Sequence, residues 1–185
     1  MKFAFRYRLR VAERRLERKC AALPRKKETF SLAEAREIGI VFEASPTVNL
    51  EDIKQFVQQL GEMQAKVFVI GYLDDIKKVD ENELMRTGFN YFTGKNLTFF
   101  LKPVSPFIED FLNRKFDILF DLNLENSFPL RYIASLSKAA MKVGKYDDHC
   151  DYLDFMIKTE TKPSMAYLIE QSMFYLNMIR KPVHV

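Results

Sequence analysis

IGIVF at residues 38–42 and VFVIGY at residues 67–72, with NLEDIKQFVQQL at 49–60 between them, decide the fold. Neither apolar run alternates with polar residues, so each reads as a strand covered on both faces, the signature of a parallel sheet between helix layers. Asn49 is a helix-capping residue, and Leu50, Ile53, Phe56, Val57 and Leu60 repeat at helical spacing behind it. The three segments make one strand-helix-strand unit of ordinary length.

The same rhythm continues outward. Phe89 to Phe92 reads as a strand, Thr93-Gly94-Lys95 as a turn, and Leu97 to Leu101 as another strand ended by Pro103. Ser105-Pro106 starts a helix carrying Phe107, Ile108, Phe111 and Leu112, and Phe116 to Leu122 is the next strand. A helix from about residue 129 to 140 leads to a short strand at Met141 to Gly144. Asp151 to Ile157 reads as an edge strand, and Ser164 caps a last helix with Met165, Ile169, Met173 and Leu176 facing inward. The expected fold is a three-layer, mostly parallel, Rossmann-like α/β sheet preceded by a basic amphipathic helix.

That first helix is the most distinctive feature of the composition. Met1 to Lys27 carry 11 Lys and Arg against Glu13 and Glu17, a net of +9, whereas the remaining residues hold 18 against 23, a net of −5. The formal net charge of +4 thus hides a basic arm, residues 1–27, on a mildly acidic domain, residues 28–185. Phe5, Leu9, Ala12, Leu16, Cys20 and Leu23 give the arm an apolar stripe at helical spacing, and Pro24 stops it. Phe3, Phe5, Tyr7, Leu9 and Val11 also alternate with basic residues as a strand would, but the helical stripe is the longer one.

Arg6, Arg8, Arg10, Arg14, Arg15, Arg18, Lys19, Arg25, Lys26 and Lys27 concentrate enough positive charge to attract phosphate oxygens. Guanidinium forks favour RNA or a ribosome, and the aromatic residues near the N-terminus suit an anionic membrane surface. The competing reading is that the apolar stripe docks on the chain's own acidic body or on a second copy, making a homodimer, with the arginines merely solvated.

At 185 residues the chain suffices for one well-buried domain. No segment approaches the ~20 consecutive apolar residues of a membrane span, and Arg6, Arg8 and Arg10 interrupt the apolar centre that a secretory signal needs, which gives a cytoplasmic expectation. Cys20 and Cys150 fit no metal-ligand or redox spacing and read as inert thiols.

In an open parallel sheet ligands sit beyond the carboxyl ends of the strands. Those ends carry Glu43 and Ser45, Asp74 and Asp75, Lys102, then Asp121, Asn123, Glu125 and Asn126. Asp74, Lys102, Asp121 and Asn123 form the candidate crevice, where a small transferase or hydrolase would act on a phosphorylated or sugar substrate. That reading requires a deep pocket with a perturbed ionisable group; the competing one is that Asp and Asn populate turns for ordinary reasons.

No glycine-rich phosphate motif occurs, and only six glycines are present, so a dinucleotide or ATP cofactor is not expected. His149-Cys150-Asp151 juxtaposes three reactive side-chain types, but adjacent side chains diverge and cannot converge on one atom. A nucleophilic Cys150 would need another His, and the remaining one is His184. Two His and two Cys in no recognisable spacing give no zinc site.

Ile38 to Phe42, Gly71 to Asp74, Lys102 to Pro106, Phe116 to Leu122 and Leu136 to Ala139 together resemble an uncharacterised family of small bacterial α/β proteins, a likeness that runs over nearly the whole chain and implies a fold but no activity. Phe116 to Gly144, FDILFDLNLENSFPLRYIASLSKAAMKVG, is similar to the N-terminal, acceptor-side domain of heptosyltransferase-type glycosyltransferases. That second likeness covers 29 residues and implies fold, not chemistry.

Overall fold

A computed structural model describes residues 2–44, 49–73, 88–159 and 164–179. Its six strands are β1 (Glu37–Glu43), β2 (Lys66–Leu73), β3 (Phe89–Thr93), β4 (Ile118–Asp121), β5 (Met141–Lys145) and β6 (Phe155–Ile157). They form one sheet in the order β3-β2-β1-β4-β5-β6, and every neighbouring pair is parallel. This is the doubly wound order, whose direction of winding reverses between β1 and β4. The described helices are α1 (Lys2–Ala21), α2 (Leu50–Glu62), α3 (Pro106–Asn113), α4 (Phe128–Leu136) and α5 (Met165–Met178).

The register explains why the strands are apolar throughout. Ile40 pairs with Val69 on one side and Phe120 on the other. These residues belong to a core that also holds Ile53, Phe56 and Leu60 of α2 and Leu168 and Leu176 of α5. The next residue, Val41, belongs to the opposite face with Ile70, Leu119, Phe111 of α3 and Ile133 of α4. Gly39 is a requirement of that second face: a Cβ there would lie about 3 Å from Leu119, Phe111 and Phe116 side-chain atoms.

The caps follow the sequence. Asn49 accepts from the Glu51 N–H at 3.3 Å, and Ser164 accepts from the Tyr167 N–H at 3.2 Å. Pro106 opens α3, although Ser105 makes no side-chain cap bond.

Two expectations are corrected. Leu97 to Leu101 is not a strand: a short 3-10 helix, Gly94–Asn96, is followed by a tight turn in which Leu101 N–H donates to Thr98 O at 2.9 Å. Leu101 takes a left-handed conformation, φ 58°, which is costly for a branched side chain, and it is buried against α1 and α4. The helix expected over 129–140 ends at Leu136 because Ser137 leaves helical geometry and its hydroxyl accepts the Ala139 N–H.

A third apolar cluster lies outside the two faces of the sheet. Ala12 and Leu16 of α1 pack with Phe128, Tyr132 and Leu136 of α4 and with Leu101. Phe128, Tyr132 and Leu136 are one stripe of α4, at spacing four; Leu130, Ile133 and Ala134 are another, which faces the sheet. Eight of the nine α4 residues are consequently buried, and only Arg131 keeps partial access to solvent. A helix apolar on two sides needs a second cover, and α1 supplies it.

Leu16 is 5% exposed. Leu16→Ala is therefore expected to lower unfolding stability by about 2–3 kcal/mol in a urea titration, as for other buried leucines. A change below about 0.5 kcal/mol would mean that the helix projects into solvent.

Candidate functional site

The connection from β5 to β6 determines where a cleft forms. The two strands are parallel neighbours, yet only residues 146–154 join them, too few for the helix that usually makes such a crossover. This short segment runs back across the sheet and is tied to β5 at its far end, where Asp154 N–H donates to Lys142 O at 2.9 Å and Lys142 N–H donates to Asp154 Oδ2 at 2.8 Å. Between this segment, the carboxyl ends of β4 and β5, α4 and the flank of α1 lies a cleft of about 660 Å³.

Asp121, the last residue of β4, lines the cleft and is 4% exposed. Its carboxylate accepts the Tyr152 O–H at 2.7 Å and the Asn123 N–H at 3.1 Å. Burial pushes its pKa up to about 6, against the lowering effect of those two donors and, more weakly, of Lys142 and Lys145. Burial and the adjacent Asp121 both raise the Tyr152 phenol, which therefore remains a neutral donor.

Arg131 reaches from α4 to Glu13 of α1, Nη2 to Oε1 at 2.9 Å, and its Nε, cut off from solvent, has no hydrogen-bond partner among the described residues. Asn123 Oδ1 is likewise shielded from solvent, with no donor among the described residues. Lys145 donates to the Leu124 carbonyl.

Of the expected crevice, the structure brings Asp121 and Asn123 together with Glu125 and Asn126. Lys102 lies elsewhere: without a strand at 97–101 it stands at no strand end, and it is exposed in the turn. Glu43 ends β1 half-buried, while Ser45, Asp74 and Asp75 lie outside the described residues, as does His184.

His149, Cys150 and Asp151 line the cleft from the crossover segment. Cys20 lines it from α1, and burial raises both thiols, so neither is poised as a thiolate. Among the described residues no group of His, Cys, Asp and Glu is arranged to hold a metal ion.

The cleft's wall of α1 and its tyrosine-bearing crossover were not foreseen. The missed signal is the spacing from Lys145 to Phe155, too short for a helix between two strands.

Lys142, on the same face of β5, is a further buried charge: its Nζ donates to Ser135 O at 2.7 Å. Burial, reinforced by the neighbouring Arg25, lowers its pKa to about 7.

The cations of the basic segment divide into two sets. Arg8 donates to the Phe99 carbonyl and stacks over its ring; Arg15 lies over Phe100, 4.1 Å from the ring centre; Lys19 donates to the Tyr132 hydroxyl at 2.8 Å. Arg25 donates to the Ala139 and Ala140 carbonyls, and with Lys27 it pairs with Asp154. Burial alone would raise the Asp154 carboxyl, but donors from Arg25, the Lys142 N–H and Lys27 hold it below its ordinary range. Lys26 lies 3.8 Å from Glu28 at the surface. Arg6, Arg10, Arg14 and Arg18 form the other set, exposed and spaced by four along the outer side of α1.

Fold and cleft together define a doubly wound α/β protein with a polar recess at the carboxyl ends of its strands. Within that class, a model described as a family of unknown function (DUF6913) matches residues 8–179, and the chain belongs to that family. No curated protein matches it, heptosyltransferases included. No described helix is long and apolar enough to cross a membrane.

The buried Asp121 yields a signed pH dependence. Its pKa is raised on folding, so its destabilisation is absent below about pH 4 and complete above about pH 6. Asp121→Asn is expected to leave stability near that of the parent at pH 4 and to raise it by up to about 3 kcal/mol at pH 8, since each pKa unit is worth ~1.4 kcal/mol. Urea midpoints at the two pH values measure this; a variant less stable than the parent at pH 8 contradicts it.

Proposed function

We propose that the protein is an RNA-binding adaptor that lays a phosphate backbone along the outer side of α1. The observation that carries this reading is the division of the arm's cations. Arg8, Arg15, Lys19, Arg25 and Lys27 are engaged within the chain, whereas Arg6, Arg10, Arg14 and Arg18 are exposed in one row and have no bonded partner among the described residues.

At 1.5 Å of rise per residue the row is about 18 Å long, enough to follow several successive phosphates of one strand. Guanidinium groups suit phosphate oxygens through paired donors. Tyr7, 61% exposed, lies between Arg14 and Arg18 around the helix and offers a ring on which a base can stack.

The membrane alternative is weaker for a stated reason. An interfacial helix inserts its apolar stripe among lipids, and here Ala12 and Leu16 at the centre of that stripe are already buried against α4. RNA requires only the charged side, which is free.

Fluorescence anisotropy with a labelled 20-nucleotide oligouridylate tests this. Four phosphate contacts predict that log K falls with log salt at a slope near −3. Replacing Arg6, Arg10, Arg14 and Arg18 together by Gln is expected to weaken binding about 100-fold at 50 mM salt and to flatten that slope, with circular dichroism unchanged. Unaltered RNA affinity in the variant, or binding to phosphatidylserine vesicles without binding to RNA, contradicts the reading.

A further inference from the structure

We infer that the arginine row takes single-stranded rather than duplex RNA, because bases of the bound strand stack on Phe99 beside it. The inference rests on the RNA reading and goes further by naming the form of the nucleic acid and the ring that selects it. Phe99 is 66% exposed, the most exposed large apolar side chain among the described residues. The backbone holds it there. Thr98 N–H donates to Lys102 O at 2.9 Å, and Lys102 N–H donates to Thr98 Oγ1 at 3.1 Å, which closes a tight turn around Phe99. Leu101, left-handed at φ 58°, anchors that turn in the cluster shared by α1 and α4. A strained backbone that keeps an apolar ring in water points to a contact the ring has yet to make.

The surroundings of the ring state the chemistry of that contact. The Arg8 guanidinium lies over Phe99, 4.6 Å from its centre. Phe100 meets Phe99 at 89° with ring centres 5.1 Å apart, and Arg15 lies over Phe100 in turn. Lys102 is exposed in the same turn. The platform is therefore aromatic and cationic together, which suits a partner that carries flat rings and negative charge. Because its neighbours already fix the ring, little side-chain freedom is lost when a base arrives.

Helix geometry decides to which side the bases turn. At about 100° per residue, Glu13 and Glu17 run along one flank of the arginine row, the flank that lines the cleft. Along the other flank come Tyr7 and then Arg8 and Arg15, which carry the two phenylalanines. A strand whose phosphates follow the row thus meets carboxylates on one side and rings on the other. Its bases turn towards Phe99. A duplex keeps its base faces stacked on one another and offers phosphates, sugars and groove edges. It can use the row but not the ring.

The chain contains no tryptophan, so Phe99→Trp in the full chain puts a single reporter on the platform and keeps an aromatic ring there. Oligouridylate is expected to quench its emission, with the same midpoint as the anisotropy titration. An RNA duplex of equal length and inorganic polyphosphate, which carries charge without bases, should leave the emission unchanged. Phe99→Ala should weaken oligouridylate binding about 10-fold, the loss of one stacked base, and leave both the salt slope and the affinity for duplex as in the parent. Circular dichroism should not change, because the side chain lies outside the core. RNA binding that needs the four arginines but leaves the emission unquenched would overturn this inference while the RNA reading stands. The same holds for Phe99→Ala binding oligouridylate as the parent does. Absence of any RNA binding would overturn both.

Discussion

The contact of α1 with α4 is the constraint on which the rest of the structure depends. Tyr132 and Leu136 occupy the side of α4 that the sheet cannot cover, and Ala12 and Leu16 close over them. Without that cover a stripe of three large side chains would stand in water, at a cost of about 1.5–3 kcal/mol for each. Polar ties fix the angle at which the helix lies: Glu13 holds Arg131, and Lys19 holds the Tyr132 hydroxyl. The chain after the helix is held as well, since Glu28 N–H donates to the Ala140 carbonyl beside the Arg25 bonds.

Once α1 is docked, its sides have different fates. The apolar side is core, and one flank, with Glu13, Glu17 and Cys20, becomes a wall of the cleft. The other flank places Arg8 and Arg15 on Phe99 and Phe100. Only the outer side remains, and it carries the arginine row. The charge asymmetry of the sequence is therefore expressed as geometry, with a basic ridge outside and an acidic recess beneath the same helix. Asp121 and Lys142 show that the interior near this recess holds ionisable groups at a cost in stability, a pattern familiar from binding and catalytic sites.

The fold was largely legible in the sequence, because the deciding feature was local. Continuous apolar runs at Ile38–Phe42 and Val67–Tyr72, short and rich in β-branched residues, read as strands covered on both faces, and the observed register is parallel. The failure at Leu97–Leu101 was local too. An apolar run reads as a strand unless the backbone turns, and Leu101 at φ 58° is a turn that no glycine announces. The site was legible only in part. Asp121 and Asn123 could be named as candidates because they stand at a strand end; Arg131 comes from the helix that follows β4, whereas Tyr152 and the α1 carboxylates come from segments far away in sequence that only tertiary packing brings to the cleft. The docking of the arm left a readable trace in α4, whose residues FPLRYIASL are apolar on nearly every side.

Amide hydrogen exchange across residues 9–20 of the intact chain tests the docked helix most directly. The account predicts protection factors for Ala12 to Lys19 comparable with those of α4, since the two helices would open together. Exchange in this segment within seconds, with α4 still protected, would show a helix lying free of the domain and would contradict the account.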